Sequence, residues 1–176
     1  MNIGNKKIVL ALAVIAMFAG ISLYASLYQD TERSYSPEGA WFCSVKFPGS
    51  PTAVPYMDLY TSDSNKPGVS GTVLCTLSVG SFPSPMGLVS MTQAGHGNWI
   101  RIAKDKFAFT AWRIIVDTVG HPVGTAKFYG SVTVIAENEI SGTMNAEYYN
   151  SAGDRFFAIA GGVSTGKRIE VEVENQ

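Results

Sequence analysis

The sequence predicts an all-β protein, an antiparallel up-and-down barrel of about eight strands that follows one N-terminal transmembrane helix. Two patterns carry this prediction. Residues 8–28 contain no charged side chain and directly follow Lys6 and Lys7. After them, apolar and polar residues alternate in short runs, and turns rich in glycine and proline separate the runs. A β-sandwich is the alternative, because alternation by itself does not distinguish the two architectures.

The leader predicts a membrane anchor. About 20 apolar residues match the hydrocarbon thickness of a bilayer at about 1.5 Å per helical residue. The two lysines before this run keep the N-terminus in the cytoplasm. A cleaved secretory signal is the alternative, but cutting after Ala25 or Ser26 would leave a large side chain three positions back, where small residues are preferred.

The expected organisation has three parts. Residues 1–28 form the anchor, residues 29–38 form a polar linker, and residues 39–176 form the β-domain. This domain lies on the periplasmic or extracellular side of the membrane, or is secreted if the leader is removed. The membrane is therefore an expected partner through residues 8–28.

Composition narrows the functional classes. The chain has a formal net charge of −1, and only 15% of its residues are charged. No basic cluster is present, so we expect no nucleic-acid partner. Cys43 and Cys75 are the only cysteines. Both fall on the apolar faces of strands, so we expect free buried thiols, with a disulfide as the alternative in an exported domain. The Cys and His spacings match no metal motif, and no cofactor is expected.

The period-two pattern then marks the strands in order. The first has Trp41, Cys43, Val45 and Phe47 on one face. Residues 80–97 form the longest irregular stretch, which predicts a loop that covers one mouth of the barrel. Further strands are predicted at 54–61, 72–79, 99–103, 107–118, 124–136, 140–150, and 156–163 with 167–174, the last two as one bent strand or two. The side chains predicted to line the interior are Val45, Phe47, Leu77, Phe109, Phe128, Val132 and Met144.

The residues Gly39-Ala40-Trp41 resemble the G-x-W motif that opens the first strand of lipocalins and their calycin relatives. Arg168 matches the arginine that these families place over the tryptophan. The chain also resembles a group of small, mostly uncharacterised bacterial lipocalin-like proteins over roughly residues 39–170. The matching segments are 95–99, 107–110, 123–125 and 165–169. The resemblance implies a closed barrel, an Arg168–Trp41 contact, and a pocket for an apolar molecule.

Few side chains suggest chemistry. His96 lies between two glycines, which favours a turn histidine bonded to local backbone, with ligand binding or general-base catalysis as the alternative. Arg101 and Arg113 each share a face with aromatic residues. We expect a bulge to turn this face to solvent; the alternative is an inward pair that holds an anionic head group, with Asp117 as the nearest acidic partner. The candidate ligand-binding residues are His96, Trp99, Arg101, Phe109, Arg113, Phe128 and Met144.

Three functions are compatible with this pattern. The leading hypothesis is a membrane-tethered, non-enzymatic barrel that binds a hydrophobic small molecule or lipid. The second is an accessory subunit of a membrane complex, with a filled interior. The third is a barrel enzyme of the cyclase or isomerase type, which would need an inward polar pair such as Arg113 and Asp117. The interior volume and its titratable groups distinguish the three.

Overall fold

The computed structural model describes residues 35–77, 82–92 and 94–170 of the 176-residue chain. The predicted anchor and most of the predicted linker lie outside the described residues. Within the described part, all regular structure is β-strand. This part contains no helix with the length and apolar character needed to cross a bilayer. The strands are β1 (Gly39–Lys46), β2 (Val54–Asp63), β3 (Lys66–Leu77), β4 (Phe82–Ser84), β5 (Gly87–Met91), β6 (Ala94–Ala103), β7 (Lys106–Asp117), β8 (Pro122–Ala136), β9 (Glu139–Asn150) and β10 (Arg155–Arg168).

Eight of these strands pair into a closed ring. The hydrogen-bonded order is β7-β6-β3-β2-β1-β10-β9-β8, and β8 pairs in turn with β7. Every pairing is antiparallel, as short connections require. The prediction of an all-β, up-and-down architecture is confirmed. The β-sandwich alternative is wrong, because a single sheet closes on itself.

The stretch predicted as a long loop contains a short hairpin. Strands β4 and β5 pair with each other, and β5 extends the sheet by pairing with the last residues of β7, Met91 with Ile115 and Val89 with Asp117. The valine and methionine of β5 are buried. Residues 94–97, also predicted as loop, begin β6.

The strands are tilted around the ring. Two rows of register partners begin at different residues of β10, Phe157 and Arg168, and run around the sheet in opposite directions. Both rows reach Gly95 of β6, which pairs with Cys75 and lies under the side chain of Arg113. Such a displacement along one strand is expected of a closed sheet with tilted strands. The first row is Phe157, Tyr148, Ala126 and Arg113; the second is Arg168, Trp41, Asp58 and Cys75.

The interior follows the alternation read from the sequence. Val45, Phe109, Phe128, Val132 and Met144 are buried, and Phe47 is half-buried against the core. Leu77 lies in β3, but its side chain is outside the described part. Of the two alternatives for the last predicted strands, one bent strand or two, the structure shows one, because β10 is continuous and bulges between Ile159 and Gly162. The predicted strand residues 171–174 lie outside the described part.

One end of the ring, here called the Trp41 end, is crossed by residues 35–38. The Trp41 indole donates a hydrogen bond to the Pro37 carbonyl at 2.7 Å. Arg168 donates to the carbonyls of Ser36, Glu38 and Glu137. Gly39 takes a φ of +116°, and a Cβ at this position would collide with the Arg168 guanidinium. The glycine of the G-x-W motif is therefore required both by backbone geometry and by space.

Candidate functional site

Arg113 is the largest polar side chain in the interior, with 2% of its surface exposed. It extends over Gly95, where a Cβ would lie 2.8 Å from Arg113 Cγ. One terminal nitrogen donates to the Cys75 carbonyl at 2.6 Å, and the other donates to the Thr92 carbonyl at 3.2 Å. The expectation that Arg113 faces solvent is wrong, because β7 alternates without a bulge from Phe107 to Ile115.

Asp58 is the second buried charged residue, also 2% exposed. Tyr60 donates its hydroxyl to Asp58 Oδ2 at 2.9 Å. Burial raises the pKa of Asp58 to about 6, although the Cys75 thiol, the Tyr60 hydroxyl and the charge of Arg113 each lower it. A buried carboxyl of this kind, close to an arginine, can change its charge near neutral pH.

Hydrophobic alternation in the sequence does not point to Asp58 as an interior residue. In β2 the apolar Met57 and Leu59 face outward, and they are 46% and 40% exposed. Tyr56, Asp58 and Tyr60 face inward. Hydrophobic alternation assigns the opposite faces to this strand. Only the register with β1, in which Asp58 is the partner of the core residue Trp41, shows that Asp58 faces inward.

Asp58 and Arg113 belong to a group of polar side chains inside the ring. Tyr56 and Ser164 share a short hydrogen bond between their hydroxyls. Cys43 and Cys75 are both free and buried. Burial, with a smaller effect of the Asp58 charge, raises the pKa of Cys43 to about 12 and that of Cys75 well above its usual range. The two cysteines lie on β1 and β3 with β2 between them, and their register partners on β2, Tyr56 and Asp58, are two residues apart. Their Cα atoms are therefore more than about 9 Å apart, beyond disulfide reach.

Aromatic rings connect this interior group to the end of the ring opposite Trp41, here called the Tyr148 end. The guanidinium carbon of Arg113 lies 5.6 Å from the centre of the Phe128 ring. Phe128 contacts Tyr148 edge-on at 6.3 Å, and Tyr148 contacts Phe157 at 5.4 Å and Phe156 at 6.3 Å between ring centres. The rings run from buried Phe128 through half-buried Tyr148 to Phe157, which is 52% exposed.

The aromatic path and the polar group share Arg113. Burial raises the pKa of Tyr148, and the nearby charge of Arg113 opposes this shift. We call the series of neighbouring side chains formed by Asp58, Arg113, Phe128, Tyr148 and Phe157 the interior strip. It has a charged inner part and an apolar outer part, which suits an elongated molecule with one polar end.

The structure divides the predicted ligand-binding residues. It brings Arg113 and Phe128 together in the interior strip. Phe109 and Met144 are buried on either side of Gly130, their shared register partner on β8. These four side chains all face the interior, as a ligand site inside the ring requires.

Two other predicted residues lie at the Trp41 end. Trp99 is buried, packs edge-on against Phe107 at 5.5 Å, and donates its indole N–H to the Thr61 carbonyl. Arg101 is half-buried and stands over the Phe107 ring at 4.6 Å while it donates to the Gly68 carbonyl at 2.6 Å. Both residues therefore close the Trp41 end and do not belong to the interior strip.

His96 is neither a turn residue nor an interior one. It lies in β6, pairs with Leu74 and Trp112, and is exposed on the outer face. The flanking Gly95 and Gly97 suggested a loop from sequence. The structure instead places both glycines on the inner face, where neighbouring strands and Arg113 come too close for a Cβ.

Asp117 does not partner Arg113. It closes the turn after β7, where it accepts hydrogen bonds from the backbone N–H groups of Val119 and His121. These hydrogen bonds hold the pKa of Asp117 below its usual value. An enzymatic site built on Arg113 and Asp117 is therefore not supported. Among the described residues, no group of three or more His, Cys, Asp or Glu side chains could hold a metal ion.

Comparisons with known proteins give limited information. No protein-family model matches the chain, and no curated protein matches it. Two similar solved structures are a redesigned β-barrel, mFAP1, bound to DFHBI, and EF1p2_mFAP2b bound to DFHBI. The first is 11% identical with a TM-score of 0.43 and covers 74% of this chain and 94% of its own. The second is 14% identical with a TM-score of 0.46 and covers 75% and 93%. Similarity at this level carries no conclusion about ligand or activity.

Proposed function

We propose that the protein is a lipocalin-like barrel that binds an apolar small molecule or lipid, and that residues 8–28 hold it at a membrane. The observation that supports binding is the aromatic path from buried Phe128 through Tyr148 to Phe157. An exposed aromatic ring that contacts further rings leading into the interior offers a stacking surface for an apolar ligand.

The position of this path favours ligand entry at the Tyr148 end. At the Trp41 end, residues 35–38 cross the ring and bond to Trp41 and Arg168. At the opposite end, the β4–β5 hairpin covers the side next to β7, whereas Phe157 on β10 leaves half of its surface in solvent. The half-buried Phe156 and Ile159 pack near it against the core. A ring of strands that encloses its apolar interior at one end and covers it incompletely at the other is typical of a protein whose ligand enters at the less covered end.

Binding is tested with Nile red, a neutral dye whose emission rises in apolar surroundings. We expect saturable binding to the full-length protein in detergent micelles, after subtraction of dye bound by protein-free micelles. Phe157→Ser should weaken it by about fivefold or more, because the outermost ring of the path is removed. The matched control is Phe42→Ser, which removes a similarly exposed ring, 57% exposed, from the outer face of β1. Equal loss in both variants would contradict binding at the Tyr148 end.

The second candidate is an accessory subunit of a membrane complex with a filled interior. One observation favours it: side chains occupy the space beside several inner-face glycines. Arg113 lies against Gly95, Phe47 against Gly162, and Cys43 against Gly166. If the protein shows no saturable Nile red binding, this candidate replaces the first.

The membrane tether has its own test. We expect protein purified from membranes to retain the leader, because about 20 apolar residues suit a membrane span and the cleavage positions are poor. N-terminal sequencing of the purified protein measures this directly. A sequence that starts at Ser26 or Leu27 would show cleavage and a secreted domain.

A further inference from the structure

We infer that the interior strip recognises a neutral amphiphile with a hydroxyl group, and that Asp58 Oδ1 accepts the hydrogen bond of that hydroxyl. This inference rests on the proposed function, since it names the chemical class of the ligand. It differs from an anionic head group held by arginine, the ligand that the sequence suggested.

The first step is the bonding of Asp58. A carboxylate has room for several donors. Oδ2 receives the Tyr60 hydroxyl, whereas buried Oδ1 accepts no hydrogen bond of normal geometry from the described residues. The Cys75 thiol forms a hydrogen bond with this carboxyl that lowers its pKa, but a thiol is a weak donor, so the carboxyl still lacks a strong second donor. A buried acceptor without a strong donor destabilises the folded protein, so a ligand donor at Oδ1 gains affinity.

The second step is the charge of the ligand. Arg113 already stands beside Asp58, and its two terminal nitrogens donate to the carbonyls of Cys75 and Thr92. A cationic ligand would meet the guanidinium of Arg113. An anionic ligand would bring a second negative charge next to Asp58. A neutral donor avoids both repulsions and satisfies Oδ1.

The third step is the connection to the apolar part of the strip. Arg113 contacts Cys75, the register partner of Asp58, and also faces the Phe128 ring at 5.6 Å. The position of the ligand hydroxyl at Asp58 Oδ1 and the aromatic path therefore lie on two sides of the Arg113 side chain. A chain-like molecule that enters over Phe157 and Tyr148 would pass Arg113 before its hydroxyl meets Asp58.

The test compares decan-1-ol with 1-methoxynonane as competitors of Nile red on the full-length protein. The two probes have the same number of heavy atoms, but only the alcohol carries a donor. The partition of each probe into micelles is measured in protein-free controls and used to correct its free concentration. We expect the alcohol to displace the dye at a free concentration at least about fivefold lower, which is the lower end of the value of one buried donor.

A variant then assigns the preference to Asp58. In Asp58→Asn, the Tyr60 hydroxyl holds the amide oxygen at the Oδ2 position and leaves the N–H₂ group at the Oδ1 position. Because the acceptor at Oδ1 is then lost, we expect the alcohol preference to fall to about twofold or less. The control Glu147→Gln alters a carboxylate on the outer face and should leave the preference unchanged. If Asp58→Asn does not fold, the wild-type comparison still decides.

The outcomes separate this inference from the proposed function. Dye binding that is weakened by Phe157→Ser but displaced equally by both probes would overturn the inference and leave the proposed function standing. A preference for decanoate over decan-1-ol would overturn it in favour of an anionic ligand. The absence of dye binding would overturn both.

Discussion

The guanidinium carbon of Arg168 lies 4.3 Å from the centre of the Trp41 ring. The two residues are register partners on β1 and β10, the first and last strands of the ring. The arginine also bonds to three backbone carbonyls in residues 36–38 and in the β8–β9 turn. One side chain thus joins the two ends of the domain to each other and covers the buried tryptophan.

The first prediction concerns this pair. We expect the destabilisations caused by Trp41→Phe and Arg168→Ala to be non-additive by about 0.5–2 kcal/mol, the value of a partly desolvated cation–π contact. Chemical denaturation of the two single variants and the double variant measures the coupling. Arg155→Ala combined with Trp41→Phe is the control, because Arg155 lies on the outer face and pairs with Glu147. Strict additivity of the Trp41–Arg168 pair would show that the contact contributes nothing to stability.

The second prediction concerns the core. Phe128→Lys should lower the free energy of unfolding by about 3 kcal/mol or more, because it places a charge at a position that is 2% exposed and already faces Arg113. Thermal or urea unfolding measures this loss. The same substitution at Phe42, which is 57% exposed, should change stability by about 1 kcal/mol or less. An unchanged melting temperature for Phe128→Lys would place this side chain on the outer face.

The third prediction concerns the thiols. Cys43 and Cys75 are 1% and 3% exposed, and burial raises the pKa of both. Reaction with a thiol reagent should therefore be slow in the folded protein. After unfolding without a reductant, titration should count two reactive groups. A count of zero would demonstrate a disulfide and would require the two strands to approach within about 7 Å.

The fourth prediction concerns pH. The pKa of Asp58 is raised from 3.8 to about 6 in the folded state, so the folded protein binds this proton more tightly than the unfolded chain does. The resulting stabilisation is fully present below about pH 3.8 and is lost as the pH rises through about 6. By linkage it amounts to at most about 3 kcal/mol.

The measurement compares the stability of wild type and Asp58→Asn between pH 4 and pH 7. We expect the difference between the two to shift in favour of the variant as the pH rises. The two curves would stay parallel if Asp58 titrated near its unfolded value. Titratable groups elsewhere in the protein contribute equally to wild type and variant, so the comparison isolates Asp58.

Much of the architecture follows from the sequence, because the information is local. Strand alternation places each side chain on one of two faces, so the inward positions of Val45, Phe109, Phe128 and Met144 can be read directly. The same local reasoning fails where the pattern is inverted. In β2 the outward residues Met57 and Leu59 are apolar. In β6 the glycines around His96 are residues typical of loops, although they lie in a strand.

The tertiary structure decided which residues meet. Asp58 and Arg113 are 55 positions apart in the chain, and β3 and β6 lie between their strands in the ring. Only the closure of the sheet and the tilt of its strands bring Arg113 over Gly95 to Cys75, beside Asp58, while Asp117 turns away into a surface loop. Strand periodicity determines the face of each side chain, but the register and tilt of the closed ring determine its neighbours, and those neighbours define the interior strip.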